Sequence, residues 1–120
     1  MGLRALLIED SASWYGDFKM YLKKAGFDEV DLATNYRDAM KLSGGKYDLI
    51  VCDTMDNNYQ PMFPEVIMDM RRRGIDTRVI ANSNNEDSVR YWRDIKNVEF
   101  VEKGMITPWY FRDIVDTLNE

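Results

Sequence analysis

The residues Tyr47-Asp48-Leu49-Ile50-Val51-Cys52-Asp53 make a short apolar run that stops on a carboxylate, and Thr54-Met55-Asp56-Asn57-Asn58 follow it. A run of this length, rich in β-branched and aromatic residues and closed by turn formers, predicts a buried strand. Its apolar character is continuous, so both faces of the strand are expected to be covered, as in a parallel sheet. Open α/β sheets place their ligand sites just beyond the carboxyl ends of such strands, where Asp53 falls. A single Asp after a single strand is ordinary turn chemistry. Its weight depends on how the other strands end.

Working outward, Leu3 to Ile8 is a second apolar run, and it stops on Glu9-Asp10. Ser11 or Ser13 can cap the helix that follows, in which Trp14, Phe18, Tyr21, Leu22 and Ala25 recur at helical spacing before Gly26. Val30 to Ala33 reads as a short strand, and Thr34 or Asn35 caps a helix through Ala39, Met40 and Leu42 that Gly44-Gly45 ends. Beyond Asp53, the segment Asp56 to Pro64 is a polar loop. Pro64 suits the first turn of a helix carrying Val66, Ile67 and Met70. Arg71-Arg72-Arg73-Gly74 closes that helix with charge favourable to its dipole. Arg78 to Ala81 is the fourth strand, ending at Asn82-Ser83. Asn84 or Asn85 is expected to cap a helix bearing Val89, Trp92 and Ile95. Val98 to Val101 is the fifth strand, running into Glu102-Lys103-Gly104. Thr107-Pro108 starts a last helix with Phe111, Ile114, Val115 and Leu118 on one stripe. The order is strand–helix repeated five times, (βα)5, which predicts an α/β fold: a doubly wound, five-stranded parallel sheet in a three-layer αβα arrangement.

Composition narrows the chemistry. The 120 residues suffice for one domain, 1–120, with a single core. Sixteen Lys and Arg against 21 Asp and Glu leave a net charge of −5, which argues against unaided binding to nucleic acid or an anionic membrane. No apolar stretch is long enough to span a bilayer, and Leu3 to Ile8 is too short for a signal peptide. Cys52 is the one cysteine, so there is no disulfide framework and a reducing, cytoplasmic setting is expected. The absence of His excludes zinc sites and His-based triads; a metal would be a hard cation held by oxygen.

The strand ends carry Glu9-Asp10, Asp53, Ser83 and Lys103, and in a doubly wound sheet these ends converge on one edge. Gathered carboxylates repel: a pair at ~4 Å costs about 4 kcal/mol at an effective dielectric near 20. Lys103, or a divalent cation such as Mg²⁺, is needed to offset this. The constellation resembles the receiver domain of two-component response regulators, the chemotaxis-regulator type, over the whole chain. The resemblance implies a flavodoxin-like strand order 2-1-3-4-5. It implies that Asp53 is the phosphorylation site, that Glu9, Asp10, Asp53 and the Met55 carbonyl form the Mg²⁺ site, and that Ser83 and Lys103 bind the phosphoryl group. Phe100 matches the aromatic switch residue of strand five.

The implied partners are a sensor histidine kinase or histidine phosphotransfer protein upstream and a downstream protein on the face made by the helix after Ser83, strand five and the last helix. A homodimer is left open. The chain would be no enzyme beyond its own phosphoryl transfer and autodephosphorylation. The pattern departs from the family at Asn57 and Gly104, where Pro is usual, and at Asn84, where a small residue is usual. A phosphate-independent interaction module of the same fold, a pseudo-receiver, is the alternative. A hydrolase or nucleotide binder lacks its motifs here: Asp53 is not followed two residues on by Asp, and neither a Walker A loop nor G-x-G-x-x-G occurs.

Overall fold

The structure is a computed structural model and describes residues 2–56 and 58–119. Asn57, one of the departures from the family pattern, lies outside the described residues. Five parallel strands, β1 (Leu3–Ile8), β2 (Phe27–Ala33), β3 (Leu49–Asp53), β4 (Val79–Ser83) and β5 (Val98–Glu102), form one sheet in the order β2-β1-β3-β4-β5. This is the expected order 2-1-3-4-5. The α-helices are α1 (Ala12–Ala25), α2 (Tyr36–Leu42), α3 (Phe63–Arg72) and α4 (Pro108–Leu118).

The continuous apolar runs are explained by burial on both faces. In β1, Ala5 and Leu7 join Leu49, Val51 and Ile80 beneath α1 and α4, where Phe18, Leu22, Phe111, Ile114 and Val115 meet them. Leu6 and Ile8 point the other way, with Ile50, Cys52, Val79 and Ala81, against Ala39 of α2 and Phe63, Val66, Ile67 and Met70 of α3. β2 is an edge strand and starts at Phe27, earlier than its apolar stretch suggests. Asp28 and Glu29 are exposed there, so alternation with charge hides the strand. The caps follow side-chain chemistry: Asn35 accepts from the Asp38 N–H at 2.8 Å and Thr107 from the Tyr110 N–H at 3.2 Å. Ser11 occupies the cap position of α1 without a side-chain cap bond.

The fourth crossover is not the α-helix expected from Val89, Trp92 and Ile95. Glu86–Tyr91 winds as a 3-10 helix, capped by Asn85. The i→i+3 pattern continues, with the Trp92 N–H on the Val89 carbonyl at 3.0 Å and the Ile95 N–H on the Trp92 carbonyl at 3.1 Å. The apolar spacing of three suits a turn of 3.0 residues as well as one of 3.6, and the i+4 positions Arg93 and Lys96 carry charge instead of apolar support. Trp92 anchors the crossover. It is buried, and its indole N–H donates to Thr54 Oγ1 at 2.9 Å, while the Thr54 hydroxyl donates to the Asn82 carbonyl at 2.9 Å.

At the opposite end of the sheet Arg71 closes the structure. Its guanidinium donates to the carbonyls of Lys96 (2.8 Å), Ile75 (2.8 Å), Thr77 (2.8 Å) and Asn97 (3.4 Å), tying the end of α3 to the starts of β4 and β5. Trp92→Phe keeps much of the ring but removes the bond to Thr54. It is expected to lower stability by about 1–3 kcal/mol, read from the denaturant midpoint at unchanged slope.

Candidate functional site

β1 and β3 are neighbours in the centre of the sheet, which brings their carboxyl ends together. The Glu9 N–H continues the ladder onto the Ala33 carbonyl at 3.0 Å, and the Glu9 side chain is completely buried. Asp10 follows, half-buried, and Asp53 ends β3 with its carboxylate nearly buried. Ligand oxygens of Glu9, Asp10 and Asp53 lie within 4.8 Å of one another.

Lys103 comes from the 3-10 turn Lys103–Met105 that follows β5, and it too is buried. Its ammonium sits 2.7 Å from Glu9 Oε1 and 3.2 Å from Asp53 Oδ2, with the Trp14 ring centroid 5.5 Å away. The remaining oxygens have partners: Asp53 Oδ1 accepts from the Thr54 N–H at 2.7 Å, and Glu9 Oε2 from the Ser11 N–H at 3.2 Å. Gly104 makes no tight approach and has ordinary backbone angles, so the turn that buries Lys103 forms without a proline after it.

Asp10, Asp53, Met55, Ser83 and Lys103 line one cavity of about 530 Å³. The structure therefore brings together all the residues singled out for the metal and the phosphoryl group, with Glu9 directly behind Lys103. Phe100 is not part of this cavity; it lies half-buried on β5, in register with Ala81. Trp14, Asn85 and Ser88 also reach the cavity or its wall. In the sequence Trp14 reads first as part of the apolar stripe of the helix after Ser11, and Ser88 is a polar residue off the Val89, Trp92 and Ile95 stripe, so neither is marked there as a cavity residue.

The Ser83 hydroxyl is already oriented. Its oxygen accepts from the Asn85 N–H at 3.1 Å and from the Ser88 hydroxyl at 3.1 Å. Both lone pairs are thereby used, and the hydroxyl proton is left to donate. A hydroxyl donor and an ammonium that line the same cavity as Asp53 suit an oxyanion bound there.

With all groups ionised, three carboxylates and one ammonium leave a local charge of −2, which one divalent cation would balance. The donor set is all oxygen, as a hard ion such as Mg²⁺ requires. Without an ion the strain falls on Glu9. Burial, and secondly the charge of Asp53, push its carboxyl from 4.5 up to about 8, against the opposing pull of Lys103. Burial and Asp53 raise Asp10 as well. The Cys52 thiol, buried beneath, is pushed well above its usual range by burial and is an inert core group.

A carboxyl raised on folding contributes stability that is full below its unfolded value and is lost as pH rises through the folded value. The metal-free protein is therefore expected to lose stability between about pH 4.5 and 8, and Glu9→Gln to flatten that slope. With no histidine in the chain, thermal melts across this window report chiefly on the acidic cluster.

No family model and no curated protein sequence matches this chain. Solved structures do. A response regulator receiver protein from Sinorhizobium medicae superimposes with TM-score 0.80 at 21% identity, over 98% of this chain and 94% of its own. A response regulator protein from Burkholderia multivorans matches with TM-score 0.74 at 26% identity, over 100% and 97%. A CheY-like receiver domain from Methylobacillus flagellatus gives 0.78 at 19%, over 98% and 99%. The fold is that of CheY-like receiver domains. Among the described residues, no helix is long and apolar enough to cross a membrane.

Proposed function

We propose that this receiver-fold chain is a phosphoacceptor of two-component signal transduction, with Asp53 taking a phosphoryl group from a phosphohistidine of a sensor kinase or histidine phosphotransfer protein. The observation that carries this reading is the setting of Asp53: an acidic side chain at the mouth of a cavity, 3.2 Å from a buried ammonium and within reach of two further carboxylates.

In the transfer, an Asp53 oxygen attacks phosphorus, the N–P bond breaks with its electron pair leaving on the imidazole, and an acyl phosphate forms. A carboxylate is a weak nucleophile, so the residues act by positioning and by balancing charge. The Thr54 N–H and Lys103 fix the Asp53 carboxylate from two sides. Lys103 remains beside the new acyl phosphate, and the Ser83 hydroxyl donates to one of its oxygens. Asp10 and Asp53, with the Met55 carbonyl and with Glu9 behind, would hold Mg²⁺, which when bound supplies the positive charge that offsets the phosphoryl oxygens.

The output follows from strand register. Ser83 pairs with Glu102 and Ala81 with Phe100, so drawing Ser83 toward the phosphoryl group shifts β4 against β5 and gives Phe100 a second position. The surface of the 3-10 crossover, β5 and α4 is then the face a downstream protein reads. The shift extends only as far as the phosphoryl group binds the two states differently.

Labelling with acetyl phosphate or a phosphorylated kinase is expected in the wild type and absent in Asp53→Asn. Mg²⁺ is expected to raise the melting temperature, since a ligand of the folded state stabilises by RT ln(1 + [L]/Kd), and Asp10→Ala to abolish that rise. A wild type that is neither labelled nor stabilised by Mg²⁺ would instead be an interaction module that works without phosphate.

A further inference from the structure

Within the proposed output face lies a groove of about 500 Å³ lined by Glu86, Asp87, Val89, Phe100, Glu102 and Met105. Its floor is apolar and its exposed part unusually so: Met105 is 70% exposed. Every charged residue of the lining is acidic. Among the described residues, none of the three carboxylates takes part in an ion pair. Arg90, the nearest cation along the crossover, lies over the Tyr91 ring at 4.9 Å instead. Nor does capping account for the acids, since Asn85 already supplies the cap of the 3-10 helix and Glu102 stands on β5. Three unpaired carboxylates repel one another unless something cationic is placed among them.

We infer that this groove is a docking site for a cationic peptide segment of a partner protein, one that sets apolar side chains on Val89, Phe100 and Met105 and Lys or Arg side chains on Glu86, Asp87 and Glu102. The inference rests on the proposed output face and names the chemistry that face selects. The groove is also joined to the cavity on both walls. Glu102 precedes Lys103 directly and pairs with Ser83, Met105 closes the turn that Lys103 opens, and Glu86 and Asp87 follow Ser83 through the Asn85 cap. Movement of Ser83 or Lys103 therefore changes the spacing of the acids.

The test is fluorescence anisotropy with a labelled synthetic peptide of lysine, leucine and phenylalanine, compared with a peptide of the same apolar pattern carrying glutamate for lysine. The lysine peptide is expected to bind and the glutamate peptide not. Glu102→Lys and, separately, Glu86→Lys should each weaken binding by about tenfold or more, as expected when a complementary charge becomes a repelling one. Asp17→Lys, the same change of net charge at an exposed position on α1, should weaken it by no more than about twofold, the size of a screened distant effect. Circular dichroism of each variant checks folding.

Equal weakening by all three variants, or no binding of the lysine peptide, overturns the proposal. Beryllofluoride with Mg²⁺, standing in for the phosphoryl group, separates the two levels of the argument. Groove-specific binding that these ions leave unchanged keeps the docking site and removes its link to phosphorylation.

Discussion

The ammonium of Lys103 is the interaction on which the site end of this molecule depends. It bridges the enclosed Glu9 carboxyl and the Asp53 carboxylate of the cavity wall, which the neighbouring strands β1 and β3 bring side by side at their carboxyl ends. Breaking a buried pair by removing one partner typically costs 3–5 kcal/mol, because a charge is stranded. Here the loss would leave Asp53 without its ion-pair partner and take from Glu9 the charge that opposes its upward shift. The bridge also settles the shape of the chain after β5: the turn Lys103–Met105 must fold inward to bury its first residue, and that fold points Met105 outward.

A second constraint meets the first at Asp53. One oxygen of that carboxylate faces Lys103 and the other the Thr54 N–H, whose own side chain carries the indole of Trp92. The Asp53 carboxylate is therefore one residue away from the anchor of the 3-10 crossover. Strand register through Ser83 gives the cavity one connection to the surface, and Thr54 gives it a second through the core. The first ends on β5 at Glu102 and the second on the 3-10 crossover at Trp92.

How much of this was visible in the sequence follows from what burial does to a chain. β1, β3 and β4 are covered on both faces, so their residues are apolar without interruption and their ends are marked by the first polar side chain. Glu9, Asp10 and Asp53 were legible for that reason, while Ser83 stands one residue past the first polar side chain of β4 and Lys103 follows the half-exposed strand β5, so those two stood out only by their place at strand ends that a parallel sheet brings to one edge. β2 was read short because an edge strand tolerates Asp28, Glu29 and Asp31. The crossover was misread because Val89, Trp92 and Ile95 fit two helical pitches, and only the charged i+4 positions weigh against the wider one. The Ser88 hydroxyl bond to Ser83 and the indole bond to Thr54 link residues five and 38 apart in the chain, and no local pattern announces such pairs. The raised carboxyl of Glu9 was equally out of sight, because burial of a charge is a property of the assembled sheet.

The guanidinium of Arg71 fixes the far end of the same strands. Four carbonyls from two separate stretches converge on one planar fork, a geometry that a point charge on a flexible stem does not reproduce. The sheet is thus pinned like a fan at its rivet: the starts of β4 and β5 are clamped, and whatever play the two strands have must open at the other end. An architecture pinned at one end in this way gives a parallel sheet a direction of travel as well as a direction of chain.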